Sequence, residues 1–445
     1  ERPHFRFCQR MNDITLISRR PTGPRMAIVA AALVFLSACG GDPEDTGDPA
    51  AEHRMAGAIA SDFHPQPDDR VFETLQDFVD GYWARMIPPH GEPPESWSDL
   101  EASLRPEDCA SCHAAQYDDW QTTVHSGAYS PGLSGQLVNW EDASFGTVQS
   151  CLVCHAPLSE QSARLPRGDE WLPNPAYDQD LRDHGIVCAS CHVRGNRRHG
   201  PPRRDGSVEP SPEGSPHGGV IRTEFFEDSR FCAGCHQFGP GGAAPNGKPL
   251  ENTFAEWENS RYADEGVSCQ SCHMPDRKHL WRGIHDPGMV RSGITIEWLT
   301  ESTSANVAGL RITNTGTGHR FPTYATPLVL VRVLLLDESR DAIDGTMVQH
   351  EIARRIAYQG GAWVELSDTR LAPDSAVVVS VPLVEGAGHA RAEISVQPDA
   401  FYREVFETLL AGMLSDTSAV LLSEARRRAD HSPYILFDET VPLIR

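Results

Sequence analysis

The chain has 445 residues, with 62 Asp and Glu against 39 Lys and Arg and a formal net charge of −23. So acidic a protein is a poor nucleic-acid binder, because that role needs a basic patch to replace phosphate counterions. Partners should instead dock through basic patches at salt-dependent rates, and the 34 Pro and 37 Gly predict a loop-rich architecture.

At the amino terminus, Arg19, Arg20 and Arg25 precede the apolar run 26–36, which ends in Ser37-Ala38-Cys39 and then Gly40. A basic segment, a short apolar core and small residues at the cut predict a signal peptide over residues 1–38, with translation from Met11. The run is too short to span a bilayer. Leu36-Ser37-Ala38-Cys39 also looks like a bacterial lipoprotein box, which would make Cys39 a lipidated membrane anchor; the alternative is an ordinary signal with a coincidental Cys. Gly40 resembles the outer-membrane sorting pattern. The acidic, small-residue stretch 39–60 reads as a flexible tether.

Residues 61–290 carry five copies of Cys-x-x-Cys-His within 165 residues. They are Cys109/Cys112/His113, Cys151/Cys154/His155, Cys188/Cys191/His192, Cys232/Cys235/His236 and Cys269/Cys272/His273. Random placement of 12 Cys and 19 His gives roughly 0.014 matches to this pattern. The pentad is the attachment signature of c-type haem: two thiols form thioethers and the adjacent His becomes an axial iron ligand. A zinc ribbon does not demand His after the second Cys, and a redox dithiol occurs once rather than five times. Five haem c groups are therefore expected. Covalent attachment also implies export of an unfolded apoprotein. At about 33 residues per haem there is too little chain for an ordinary core, so short helices and loops should surround stacked haems.

An internal echo predicts a duplicated module with one insertion. Tyr117-x-x-Trp120 follows the first pentad and Phe254-x-x-Trp257 the fourth, while Gly185-x-x precedes Cys188 and Gly266-x-x precedes Cys269. The extra haem of the first half is the one at Cys151–His155.

Sixth ligands separate a wire from an enzyme, because a bis-His iron is saturated and an open one binds substrate. The candidates are His125, His217, His279, His285 and His319, with His90, His184 and His199 in reserve and Met274 and Met289 weaker. If residues 113–125 form one straight helix, His125 lies about 18 Å from His113 along its axis and must serve a neighbouring haem. The module puts Tyr262 where His125 would align, which marks either an open haem or simple packing.

From residue 291 the pattern changes to alternating β-branched segments: 294–299, 308–314, 328–336, 352–358, 363–366, 376–382 and 392–396. A helical stretch over 401–428 follows, then a last strand at 433–437. Residues 291–445 should therefore form an all-β immunoglobulin-like sandwich with a helical insertion.

Together with Trp120-x4-His125, Cys269-Gln270-Ser271-Cys272-His273-Met274-Pro275 and Gly318-His319-Arg320-Phe321-Pro322-Thr323, the pentads resemble exported multihaem cytochromes c. The likeness is to the broad group of the ammonia-oxidiser tetrahaem cytochrome and hydroxylamine oxidoreductase, over roughly residues 105–325. It implies that His125 and His319 are distal ligands. Pentahaem nitrite reductase is similar in haem count only, since its active-site motif ends in Lys. The expected function is single-electron relay in the periplasm or at the outer membrane or cell surface, with cytochromes or quinol-linked membrane complexes as partners. Two alternatives stand beside it. One is a reductase of a small nitrogen or sulfur oxyanion, open at an iron beside Tyr262, His199 or Arg197 and Arg198. The other is a filament subunit that self-associates through haem edges.

Overall fold

The computed structural model describes residue 78 and residues 81–83, 86–207, 210–212, 214–299 and 306–443. The predicted signal peptide, the tether, Met11 and Cys39 lie outside the described residues.

The haem-motif region is built from short helices: α1 (Asp99–Ala102), α2 (Pro106–Trp120), α3 (Pro131–Leu137), α4 (Phe145–His155), α5 (Gln179–Asp183), α6 (Cys188–His192), α7 (Arg230–His236), α8 (Thr253–Glu258), α9 (Arg261–Asp264), α10 (Cys269–His273) and α11 (Pro287–Gly293). Four of the five pentads end their helix at the motif His, in α4, α6, α7 and α10. The fifth, in α2, leaves helical geometry at His113 (φ −114°, ψ 42°) and then resumes. Each motif thus places two cysteines one turn apart and swings the imidazole out where the helix stops or kinks. Three small strand pairings, β1 (Arg164–Arg167) with β2 (Glu170–Pro173) and β3 (Val193–Arg194) with β4 (Arg197–Gly200) and β5 (Ile221–Arg222), pin the loops between them.

The duplicated module is visible in the contacts. Trp120 donates its indole N–H to the carbonyl of Ile186 at 2.7 Å, and Trp257 donates to that of Val267 at 2.9 Å. Each acceptor lies two residues before a motif cysteine. Tyr117–Trp120 and Phe254–Trp257 share one geometry, with centroids 5.6 Å apart and planes at 41°.

The carboxy-terminal part holds β6 (Ile294–Trp298), β7 (Val307–Asn314), β8 (Leu328–Asp337), β9 (Val348–Ile352), β10 (Arg354–Gln359), β11 (Ala362–Asp368), β12 (Ala376–Pro382), β13 (Ala387–Gln397) and β14 (Tyr434–Pro442). They form antiparallel sheets in the orders β12-β7-β6 and β14-β13-β8-β9, with β10-β11 as a separate hairpin. Period-2 residues Val329, Val331, Val333 and Leu335 of β8 face one core shared with Leu310 and Ile312 of β7, Val379 and Val381 of β12, and Ile394 of β13. The segment 352–358, expected as one strand, divides at Ala353. There Arg354 turns into the interior, where its guanidinium is fully buried against Glu365 and the carbonyls of Lys248 and Pro249.

The helical insertion is two helices, α12 (Ala400–Leu410) and α13 (Asp416–His431), which break around Gly412 and restart at the Ser415 cap. The start of α12 packs on the sheets, where Ala400 meets Leu328 and Ala353, while both helices also close onto the haem-motif region. A Cβ on Gly132 would stand 2.5 Å from the Phe406 ring, and one on Gly135 2.9 Å from Leu422. The two glycines of α3 therefore let α12 and α13 approach closely.

Candidate haem-binding cavity

One continuous cavity of about 1830 Å³ runs through the haem-motif region. Single-ligand pockets span roughly 300–1,000 Å³, so this space suits several bulky groups. All ten motif cysteines and all five motif histidines line it, together with His125, His217, His279, His285 and His319. None of these ten cysteines is joined to another in a disulfide. Among the described residues no group of three or more His, Cys, Asp or Glu is arranged to hold a bare metal ion.

The motif sulfurs meet across motifs. Cys109 lies within hydrogen-bond reach of Cys188, Cys154 of Cys235, and Cys232 of Cys269. Cys191 is electrostatically close to both Cys232 and Cys235. Numbering the attachment sites in chain order, sites 1, 3, 4 and 5 form a line, and site 2 joins it at site 4.

Three pairs of imidazoles face one another. His236 and His125 have ring centroids 6.2 Å apart, His192 and His279 6.1 Å, and His273 and His319 6.4 Å. Two imidazoles on opposite sides of one metal, at roughly 2 Å per bond and about 1.1 Å from nitrogen to ring centre, give centroids about 6 Å apart. The pairs fit an intervening iron and leave no room for anything larger along that axis. His125 faces the fourth motif, not its own, although the straight helix considered for residues 113–125 does not form: α2 kinks at His113 and ends at Trp120.

The outer ring nitrogens are mostly fixed. Nδ1 of His155 lies 2.8 Å from the Ala128 carbonyl, of His192 2.8 Å from that of His199, and of His273 2.8 Å from that of Arg282. Nδ1 of His217 lies 3.1 Å from the Gly219 carbonyl and of His319 2.9 Å from that of Arg320. A carbonyl can only accept, so each Nδ1 carries the proton and each Nε2 presents a lone pair, the tautomer a metal needs. His236 is held instead by the Tyr324 hydroxyl at 2.6 Å. Burial, reinforced by His236, drives His125 down to about 3, and burial takes His192, His236 and His319 down to about 4. Neutral imidazole is the ligating form.

The first and second motifs differ from the other three. His217 is electrostatically close to His113 and is held by its backbone N–H on Glu101, 3.0 Å away, in left-handed geometry (φ 43°). His155 has no ring partner at iron-spanning distance among the described residues. His285 lines the cavity, but its Nε2 sits 3.1 Å from both carboxylate oxygens of Asp399.

The remaining candidates are engaged elsewhere. His90 is buried against Glu160, His184 pairs with Glu107, and His199 serves through its carbonyl behind His192. Met274 caps the last motif helix, and Met289 sits in α11. The three places offered for an open iron are not one place. Tyr262 donates its hydroxyl to the Thr315 carbonyl at 2.5 Å, and the motif imidazole of its module, His273, already faces His319. Arg198 stacks over Trp97 and binds the Glu101 carbonyl, and Arg197 pairs through β4 with Arg194. Sequence reasoning missed Tyr324, which directly follows the Gly318–Thr323 segment, and Asp399, which lies far from any haem motif in the chain.

Residues 108–193 match the family described as cytochrome c554 and c-prime. No curated protein matches the chain. Among solved structures, a penta-haem cytochrome c552 from Thermochromatium tepidum is similar at 19% identity with a TM-score of 0.53, covering 78% of this chain and 100% of that one. At that identity the likeness is one of fold. The family match takes in only the first three attachment pentads, and the cavity they open runs on through the other two, which supports a multihaem cytochrome c.

Proposed function

We propose that the protein is an electron-transfer cytochrome carrying five haem c groups, with His125, His217, His279 and His319 as sixth ligands. The facing imidazole pairs 6.1–6.4 Å apart carry this reading. When bound, haem c supplies a one-electron ferric/ferrous couple. The chain's own part is to hold neighbouring attachment sites in contact through Cys109–Cys188 and Cys232–Cys269 within modules, and Cys154–Cys235 between them. It also fixes ring orientation from behind, and burial lowers the pKa of the six imidazoles in the facing pairs. Cross-module ligation does mechanical work as well: His125 and His279 each stitch one module to the other.

Export, lipidation at Cys39 and anchorage at the outer membrane complete the proposal, with redox proteins as partners. No helix among the described residues is long and apolar enough to cross a membrane. We read the two packed sheets from residue 291 onward as an immunoglobulin-like sandwich that lends His319 to the last site. The test is a low-temperature EPR count of spin states. Four low-spin haems per chain support the assignment; a majority of high-spin iron removes it.

A second reading rests on His155. With no imidazole facing it among the described residues, the site at Cys151–Cys154 suits an open iron that binds a small ligand. A high-spin signal confined to one haem, shifted by nitrite or hydroxylamine, supports a reductase; a signal that neither compound moves leaves relay alone.

A further inference from the structure

Buried arginines in this fold come with a carboxylate. Arg354 pairs with Glu365 at 2.8 Å, Arg370 with Asp368 at 2.8 Å, and Arg182 with Glu141. Arg198 is different. It stands in β4 opposite Val193 and beside His199, whose carbonyl orients His192, and it lines the cavity. Its guanidinium carbon lies 5.2 Å from the Trp97 ring centroid, and Nη2 donates to the Glu101 carbonyl at 2.7 Å. Nη1 is buried and meets no acceptor among the described residues. Glu101 gives this cation a carbonyl and not its carboxylate, which accepts from the backbone N–H of His217 at 3.0 Å.

The cation is therefore held in place but not neutralised by the protein. Its electrostatic neighbours are the Cys109 thiol and the imidazole of His217. As a thioether, Cys109 could carry no charge, so attachment of a haem would remove even that partner. A half-buried cation with a donor left unmade is destabilising unless a counter-charge arrives. Haem c brings two propionate carboxylates into the same cavity, and the planar fork of arginine suits a carboxylate better than any other common side chain does. A carboxylate close to iron favours the ferric state. A cation beside it offsets that charge and raises the potential.

We propose that Arg198 is a haem-positioning residue: it takes its counter-charge from a haem propionate in this cavity and holds up the reduction potential at the first attachment site. This rests on the five-haem electron-transfer reading.

The experiment is a spectroelectrochemical titration of all five midpoints in the full holoprotein, with redox-difference infrared spectra of the carboxylate region. Arg198→Gln and Arg198→Lys are compared with Arg167→Gln, an exposed position in β1 with the same loss of charge. Arg198→Gln should favour the ferric form of one haem about tenfold, a fall of about 59 mV, and should shift one carboxylate band. That haem should be the one that turns high-spin in His217→Ala. Arg198→Lys should recover part of the potential, and Arg167→Gln should move none of the five. Five unmoved midpoints in Arg198→Gln, even with a lower melting temperature, would make Arg198 a packing residue and overturn the proposal. So would a wild-type midpoint that responds to added nitrite and ceases to do so in Arg198→Gln, which would give the cation a free anion instead. A wild-type chain that carries no haem would remove the electron-transfer reading itself, an outcome distinct from five haems with unmoved midpoints.

Discussion

His125 and His236 face each other with ring centroids 6.2 Å apart, although one follows the first attachment helix and the other closes the fourth. The pair joins the two halves of a duplicated module across what would be a single iron. Replacing His125 by Ala should convert one haem's worth of low-spin signal to high-spin and leave the haem stoichiometry unchanged. His285→Ala should leave the low-spin count unaltered, because Asp399 holds that imidazole. Quantitative EPR of the two variants checks both statements.

Tyr324 sits behind His236 with its hydroxyl 2.6 Å from Nδ1. Tyr324→Phe removes the acceptor and makes the imidazole a poorer donor to ferric iron, so the potential of that site should rise. A tenfold change in relative stability corresponds to about 59 mV for a one-electron couple. A shift of that order at one haem, seen in a spectroelectrochemical titration, is the expected result.

Gly185 shows how tightly the module is closed. Its φ is +65°, and a Cβ there would meet the backbone nitrogens of Ala128 and Tyr129 at 2.7 and 2.8 Å. Ala128 also supplies the carbonyl that orients His155. Gly185→Ala should therefore cost roughly 1–3 kcal/mol and disturb the second site first. A lowered melting temperature with a changed spectrum at the His155 haem checks this.

The sandwich is locked to the haem-motif region by ion pairs. Asp368 accepts from Arg370 at 2.8 Å and from Lys248 at 2.6 Å, and the Arg370 side chain is fully buried. Burial pushes the Asp368 carboxyl up, but hydrogen bonds from Arg370 and Lys248 outweigh it and hold the group well below the usual range. Its folded pKa is thus below the unfolded value of about 3.9, so its contribution is complete above that pH and is lost as pH falls through the folded value. Asp368→Asn leaves Arg370 and Lys248 without that charge. It should cost about 3 kcal/mol at neutral pH and flatten the loss of stability below about pH 4. Thermal melts from pH 7 to pH 3 measure both effects.

Attachment chemistry was readable because it is local: two thiols and an imidazole within five residues need no tertiary information. The strands of the sandwich were readable for the same reason, since Val329, Val331, Val333 and Leu335 alternate in plain view. What could not be read was pairing. His125 was expected to reach another haem along a straight helix, but α2 kinks at His113 and ends at Trp120, and nothing in the spacing named His236 as its partner. His279 and His285 were equal candidates by sequence, and only the fold shows that Asp399 lies beside the second. Tyr262 aligned with His125 by module, yet its hydroxyl is engaged by Thr315 of the sandwich edge, a partner only the folded chain brings near. The break at Ala353 was likewise hidden, because Arg354 is buried by carbonyls from a distant loop.

The central claim is that the cavity's ten sulfurs hold five covalent haems. The most direct measurement is the intact mass of the exported holoprotein, paired with a pyridine haemochrome assay per chain. The account predicts a mass increment of five haem groups that survives denaturation and an absorbance equal to five. An unmodified polypeptide mass, or fewer haems with the spare cysteines still free to alkylate, would contradict it.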